Sequence, residues 1–155
     1  NGILVHNCGL IDDPVENWQE AQSQTIRDIC WEWYRSTFRT RIWENGSIVL
    51  ITTRWHLDDL AGRLLKDQSG EWKILRLPAL AETNEEREES NRLLGTNDVC
   101  DPLNRYPNKP LCPKRFSLHA LESLKRDVGA MSWAGQYQGV PRAAEGNRFK
   151  RNWFK

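Results

Sequence analysis

Two adjacent carboxylates, Asp12 and Asp13, follow the apolar run CGLI and precede Pro14. An apolar strand that ends in such a pair places both acids at the carboxyl edge of an α/β sheet, where these folds bind ligands. In phosphoryl-transfer sites one carboxylate supports Mg²⁺, commonly through a bound water, and a neighbour can orient the attacking water. The residues also suit a turn that starts a helix, which spacing alone favours, because Asp and Pro both prefer such turns. Both interpretations stay open.

A second polar group, Thr52, Thr53 and Arg54, follows the apolar run SIVLI. Hydroxyls at the end of a strand can bond to a phosphate or to its attacking water, and a guanidinium can pair with phosphate oxygens. Alternatively, the threonines are only strand formers, and Arg54 packs with Trp55 over the next helix. His56 is expected to be a structural residue near the start of that helix rather than a ligand.

The elements that position these residues alternate between strand and helix. A helix is expected from about residue 21 to about residue 39, where apolar residues recur at helical spacing on one face. SIVLITT has the composition of a strand covered on both faces. HLDDLAGRLL is expected to form a short helix with acids in its first turn, and WKILRLPA is expected to form a third strand. This order predicts an α/β fold with a mostly parallel sheet.

The second half of the chain differs in composition and in hydrophobic periodicity. Residues 82–113 are acidic and then rich in Asn and Pro, without a sustained period, which predicts a long irregular surface excursion. Ser117 is expected to cap a helix that Gly129 ends. Ser132 is expected to cap another short helix that runs to Tyr137.

Bulk composition excludes several classes of protein. With 39% hydrophobic and 28% charged residues and a net charge of +1, the 155-residue chain is globular and carries no strong electrostatic signal for nucleic acid. No apolar run reaches the length of a membrane span. The four cysteines show no CxxC spacing, so a zinc site or disulfide framework is not expected and a reducing cytoplasm is favoured. The chain lacks an initiator Met and is interpreted as a fragment.

Several long stretches, in order, resemble the large terminase subunit of tailed bacteriophages. They are LIDDPVENWQEAQSQTIRDICWEWYRSTFRTRI, GSIVLITTRWHLDDLAGRLL, WKILRLPALAE and LCPKRFSLHALESLKRDVGAMSWAGQYQGVP. The resemblance implies a P-loop ATPase domain of the additional-strand, helicase-like type, followed by a nuclease domain of the ribonuclease H type. It implies ATP-driven movement of double-stranded viral DNA into a procapsid, and cutting of concatemers.

The resemblance also implies roles for individual residues. Asp12 matches the Walker B aspartate that supports Mg²⁺, and Asp13 stands where the carboxylate that polarises the attacking water belongs. Many family members have Glu at that position, so the shorter Asp13 is a departure from the pattern. Thr52 and Thr53 match the coupling motif that senses the γ-phosphate, and Arg54 matches a phosphate or coupling contact. ATP and Mg²⁺ are the implied cofactors.

Partners and limits follow from the same resemblance. The expected partners are viral DNA, a portal protein, the small terminase subunit and other copies in a homo-oligomeric ring, in the cytoplasm of a bacterial host and without a membrane. No G-x-x-x-x-G-K-[ST] loop occurs in the chain. Residues 8–140 are therefore interpreted as the C-terminal half of the ATPase domain and residues 141–155 as a linker toward a nuclease domain. The isolated chain is expected to be inactive.

Residues 1–7, which end in ILVHN before Cys8, resemble the carboxyl terminus of an intein. In that interpretation the side-chain amide of Asn7 attacks its own carbonyl and breaks the Asn7–Cys8 bond. His6 assists by hydrogen bonding to or protonating the leaving group. Cys8 supplies the thiolate that receives the upstream segment. A chance match in a metal-free loop is the alternative.

Two other functions remain open at this point. The chain could belong to a different helicase-like ATPase that moves on nucleic acid. It could also be a non-catalytic binding or scaffold module whose Trp-rich helix, with Trp31 and Trp33, docks a partner. A P-loop followed by a strand, upstream of the chain, favours a motor, and its absence favours the scaffold.

Overall fold

The computed structural model describes residues 7–67, 71–97 and 101–142. The prediction for His6 and most of the predicted 141–155 linker lie outside the described residues. None of the helices in the described residues is long and apolar enough to cross a membrane.

The two strands predicted to carry the polar groups form one parallel sheet. Strand β1, Cys8–Asp12, pairs with strand β2, Ser47–Ile51, with Cys8 opposite Ser47 and Asp12 opposite Ile51. Because the strands are parallel, their carboxyl ends meet at the same edge. The sequence-based prediction of these two neighbouring strands is confirmed.

Helices cover only one face of this sheet in the described residues. Ile11 is 4% exposed and forms a core with Tyr34, Leu60 and Leu64, against which partly buried side chains of β2 pack. On the other face Leu10 is 62% exposed, and Val49 and Ile51 are also exposed. The prediction that β2 is covered on both faces is therefore wrong, because the alternate side chains of a strand point to opposite faces and only one face meets helices.

The connection between the strands is helical, but it is not one continuous helix. Helix α1 spans Trp18–Gln22 and helix α2 spans Gln24–Trp33, followed by a π-helical turn over Tyr34–Phe38 and a 3₁₀ turn over Arg39–Arg41. The interruption lies at Ser23, whose hydroxyl accepts a hydrogen bond from the amide of Ile26 and so caps α2.

The predicted apolar face of this connection is only partly buried. Tyr34 is buried, and Cys30 and Trp31 pack against the same core. Ile29 and Trp33, two of the apolar residues that recur at helical spacing, are exposed, at 63% and 40%. Fewer residues of α2 pack on the core than the number of apolar positions in the helix indicates.

Helix α3, Leu60–Asp67, contributes Leu60 and Leu64 to the same core. Its start is later than predicted, and Asp58 and Asp59 precede the first turn rather than lying in it. Gly62 allows a close approach here, since a Cβ at this position would stand 1.8 Å from the carbonyl oxygen of Leu57.

Two predictions for the middle of the chain are wrong. Residues 72–78 form no strand, because they have no ladder partner among the described residues. Within the predicted irregular excursion at 82–113, helix α4 spans Asn84–Leu94. Thr83 and Glu86 form a reciprocal capping box at its start, and Gly95 ends it in the left-handed conformation.

The predicted cap at Ser117 is confirmed, whereas the one at Ser132 is wrong. Helix α5 spans Leu118–Ser132 with a kink at Gly129, whose φ is 78°. Gly129 is non-helical and separates two helical segments of α5, so the prediction that the first segment ends at Gly129 is confirmed. A π-helical turn over Trp133–Tyr137 follows directly after Ser132, whose side chain makes no capping hydrogen bond.

Polar contacts tie Gln138, after the π-helical turn, and Ser90 of α4 to residues 76–82. Nε2 of Gln138 donates to the carbonyl of Leu80 (3.0 Å), and Oε1 of Gln138 accepts from the backbone amide of Leu80 (3.1 Å). The side chain thus makes the pair of hydrogen bonds that a neighbouring strand would make. The buried guanidinium of Arg76 donates to Glu82 (2.7 Å), which also accepts from the hydroxyl of Ser90 in α4. Burial makes these groups depend on each other, since an unpaired buried charge is costly.

Candidate functional site

Asp13 lies at the carboxyl edge of the sheet, immediately after β1. Its amide donates to the carbonyl of Ile51 (3.0 Å), which continues the ladder by one residue beyond the strand. Its φ is 37°, in the left-handed region that non-glycine residues seldom adopt. Asp tolerates this region better than most residues, because its short side chain hydrogen-bonds locally.

The strained residue carries the contact that joins the two predicted polar groups. The amide of Thr53 donates to Oδ1 of Asp13 at 2.6 Å, and the hydroxyl of Thr53 stands 3.5 Å from Oδ2. The two residues are 40 positions apart in the chain. The structure thus brings together Asp13 and Thr53, and the backbone N–H fixes the orientation of the carboxylate.

Asp12 ends β1 and its side chain is exposed. The described residues contain no group of three or more His, Cys, Asp or Glu side chains that could hold a metal ion on their own. Mg²⁺ does not require such a cage, because it keeps several waters and is usually held by one or two carboxylates together with substrate phosphates. An exposed carboxylate beside the oriented Asp13 is a donor set that fits this ion.

Thr52 and Arg54 do not share the Asp13 contact. The hydroxyl of Thr52 donates to the carbonyl of Thr53 (3.1 Å), which is a local backbone bond. Nε of Arg54 donates to Asp59 (2.7 Å), and both side chains are about nine-tenths buried, at 11% and 9% exposed. The guanidinium of Arg54 is therefore bonded to Asp59, directly before α3.

Asp59 is a residue whose role the sequence analysis missed. Besides pairing with Arg54, its Oδ1 accepts from the amide of Gly62 (2.8 Å) and so caps α3. The signal was available, since an Asp directly before a helix is a preferred cap. It was not used because Asp58 and Asp59 were both assigned to the first turn.

His56 has the structural role that the sequence predicted. Its Nδ1 accepts from the amide of Asp58 (2.9 Å) in the turn before α3. Burial lowers the pKa of His56, and the nearby charge of Arg27 lowers it further. A neutral imidazole is required for this hydrogen bond, because Nδ1 is the acceptor.

No protein-family model, curated protein or solved structure matches this chain. The resemblances to a terminase and to an intein therefore stay predictions.

The expected splice junction lies at the amino end of β1. The carbonyl of Asn7 accepts from the amide of Ser47 (3.1 Å), and its side-chain nitrogen Nδ2 is buried without a hydrogen-bond partner among the described residues. Cys8 is a free, exposed thiol in the first position of the strand. Within the described part of the chain, the side-chain nitrogen of Asn7 has no hydrogen-bond partner and the thiol of Cys8 forms no disulfide; these are the two groups that the splicing interpretation would use.

Proposed function

We propose that this chain is part of an ATP-hydrolysing motor of the terminase large-subunit type, and that Asp12, Asp13 and Thr53 belong to its hydrolysis site. The observation that carries the proposal is the contact between Asp13 and Thr53 across the carboxyl ends of two parallel strands. This edge is where α/β folds hold their ligands.

The geometry supports a division of labour among these residues. The exposed carboxylate of Asp12 would hold Mg²⁺ through a water, and the ion would neutralise charge on the phosphate oxygens. Asp13 would orient the attacking water with Oδ2, because its Oδ1 already accepts from the amide of Thr53 at 2.6 Å and the contact of Oδ2 with the Thr53 hydroxyl is long, at 3.5 Å. A change at the water would therefore reach β2 directly, which fits a role of Thr53 in coupling hydrolysis to movement.

The wider function rests on the sequence resemblance. In the proposal the motor moves double-stranded viral DNA, assembles as a ring, and works with a portal protein and a small terminase subunit. Because the 155 residues contain no P-loop, hydrolysis is assigned to a longer protein, and the isolated chain is expected to leave ATP intact.

The test is ATP hydrolysis by the full-length gene product that contains this chain. Asp13→Asn removes the carboxylate that orients the water and should lower kcat at least about 100-fold, within the range for loss of a general base. Asp67→Asn, at the exposed end of α3, is the matched control and should keep full activity. A full-length Asp13→Asn protein with normal turnover would contradict the proposal.

The proposed splice junction is tested separately. The chain is expressed behind the complete upstream segment, and release at Asn7 is followed by mass spectrometry. Asn7→Ala removes the attacking amide and should abolish cleavage, whereas Asn17→Ala, which only caps α1, should leave it unchanged. Cleavage that persists in Asn7→Ala would exclude an intein-type reaction and leave the ATPase proposal untouched.

A further inference from the structure

The Thr53 amide, which orients Asp13, lies in a stretch of chain without regular secondary structure. Residues 52–56 follow β2 directly, but they form neither a ladder nor a helix within the described part of the chain. The last ladder-type hydrogen bond before them joins the Asp13 amide to the carbonyl of Ile51 (3.0 Å). The direction of the Thr53 N–H therefore depends on what holds the next residue, Arg54.

The side chain of Arg54 is held by Asp59. Nε of Arg54 donates to Oδ2 of Asp59 at 2.7 Å, and the two side chains are only 11% and 9% exposed. Oδ1 of Asp59 accepts from the amide of Gly62 (2.8 Å), so the carboxylate is itself fixed to the first turn of α3. Charge-assisted bonds are among the stronger hydrogen bonds in proteins, and removing one partner of a buried pair leaves a charge uncompensated.

The backbone of Arg54 is held by Gly135, in the π-helical turn over Trp133–Tyr137. A Cβ at position 135 would stand 2.5 Å from the carbonyl oxygen of Arg54. Close carbon–oxygen contacts in proteins begin at about 3.3 Å. A side chain at position 135 would therefore displace the Arg54 backbone by roughly 0.8 Å, and the observed contact requires glycine.

The segment that carries this glycine is firmly packed. Trp133 is a buried member of an apolar cluster, at 4% exposed, and Pro141 is less than 2% exposed. The amide of Val140 donates to the carbonyl of Ala134 (2.8 Å), which closes the turn. Because a close-packed interior yields little to an added atom, the backbone of Arg54, which has no ladder of its own, would absorb a clash at this contact.

We propose that Asp59 and Gly135 are positioning residues of the contact between Asp13 and Thr53. They fix Arg54 from its side chain and from its backbone, and with it the direction of the Thr53 amide. Its meaning for hydrolysis rests on the proposed function, since Asp13 is the carboxylate assigned to the attacking water. The second half of the chain thereby takes part in a site whose two joined residues come from the first half.

The experiment is ¹⁵N–¹H NMR of the Thr53 amide in the full 155-residue chain. Gly135→Ala pushes on the carbonyl of Arg54, and Asp59→Asn replaces the oxygen that accepts from Nε while keeping one oxygen to cap α3. In both variants the Thr53 amide should change its chemical shift. It should also exchange with solvent at least about tenfold faster, in line with the loss of a hydrogen bond to a charged group.

Two controls separate a local change from a general loss of stability. The Asp13 amide, which is bonded to Ile51, should keep its exchange rate in both variants. Ala130→Ser adds one atom at an exposed position of α5 and should leave the Thr53 amide unchanged.

Three results overturn the proposal. The first is a Thr53 amide that keeps its shift and exchange rate in both variants, and the second is one that accelerates only together with the Asp13 amide. The third is loss of the fold in either variant, detected by circular dichroism, because it assigns the substituted residue to the fold rather than to the site.

ATP hydrolysis by the full-length gene product then tests the proposed function independently. Both variants should lower kcat at least about tenfold and leave KM for ATP within about twofold, because the oriented carboxylate acts in the transition state. A changed Thr53 amide with normal kcat would support the positioning and contradict the hydrolysis site. An unchanged amide, with turnover lost in Asp13→Asn, would keep the hydrolysis site and overturn the positioning.

Discussion

The carboxylate of Asp13 takes its position from two backbone contacts, one on each side of the residue. Its own amide is bonded to Ile51, and its Oδ1 accepts from the amide of Thr53. Two hydrogen bonds therefore tie the residue to the end of β2, although it follows β1 in the chain. Such a residue transmits any displacement of one strand end to the other.

The side chain of Arg54 illustrates what the sequence could not decide at this scale. Its position after β2 predicted a phosphate contact, and its position before α3 equally allowed a structural one. Asp59, five residues later, accepts from its Nε in the structure. The outcome depends on how the turn folds back, which residue types and spacing do not encode.

His56 should make stability depend on pH. Its pKa is lowered in the fold, so protonation favours the unfolded chain, and the stabilisation present above its unfolded pKa of about 6.5 is lost as the pH falls toward the folded value. The charges that face it are Arg27, Asp58, Asp59 and Arg63. Urea unfolding between pH 8 and pH 5 measures this slope.

The matched comparison for that prediction uses a second histidine. His56→Asn removes the titrating group and should flatten the slope, whereas His119→Asn, exposed at the start of α5, should retain it. A slope that is unchanged in His56→Asn would assign the pH dependence to other groups.

At the scale of elements, the strands β1 and β2 could be predicted because their local signal and their tertiary role agree. Each is a short apolar run with a polar end, and each is paired as expected. Residues 72–78 carry a similar local signal but have no partner strand among the described residues. A strand requires a neighbour, so β propensity alone predicted it wrongly.

Helix α4 was missed for the opposite reason. The side chains that it buries are those of Arg87 and Ser90, so it lacks the apolar period by which helices are recognised. The start of α4 could have been predicted from Thr83 and Glu86, because their types and spacing match a capping box.

That capping box should be a measurable part of the stability of α4. Thr83→Ala removes the hydroxyl that accepts from the amide of Glu86 (3.2 Å) and should cost about 1 kcal/mol. Hydrogen exchange of the amides in the first turn of α4 should accelerate. Thr83→Ser keeps the hydroxyl and should behave like the unmodified protein; equal losses in both variants would mean that the cap is not the cause.

At the scale of the whole molecule, polar contacts join parts of the chain that lie far apart in sequence. The amide of Gln138 binds the backbone of Leu80 on both sides, and the pair Arg76–Glu82 reaches Ser90 in α4. The apolar cluster beneath them is small, with Leu80, Leu121 and Trp133 as its buried members.

Breaking the buried pair should therefore destabilise the second half of the chain. Glu82→Gln leaves the guanidinium of Arg76 without its counter-charge and should cost about 3–5 kcal/mol in chemical denaturation. Glu89→Gln breaks the exposed pair with Arg142 and should cost little. Similar denaturation midpoints for the two variants would show that burial of the Arg76–Glu82 pair does not contribute to the free energy of unfolding.

The left-handed backbone of Asp13 has a consequence for directed evolution of this protein. Glycine adopts a φ of 37° without strain, so Asp13→Gly relieves the backbone while deleting the carboxylate bonded to Thr53. If Asp13 serves the proposed ATPase, libraries screened only for heat tolerance should accumulate glycine at this position. Libraries screened for turnover should keep the acid, and the two selections would diverge at a single codon.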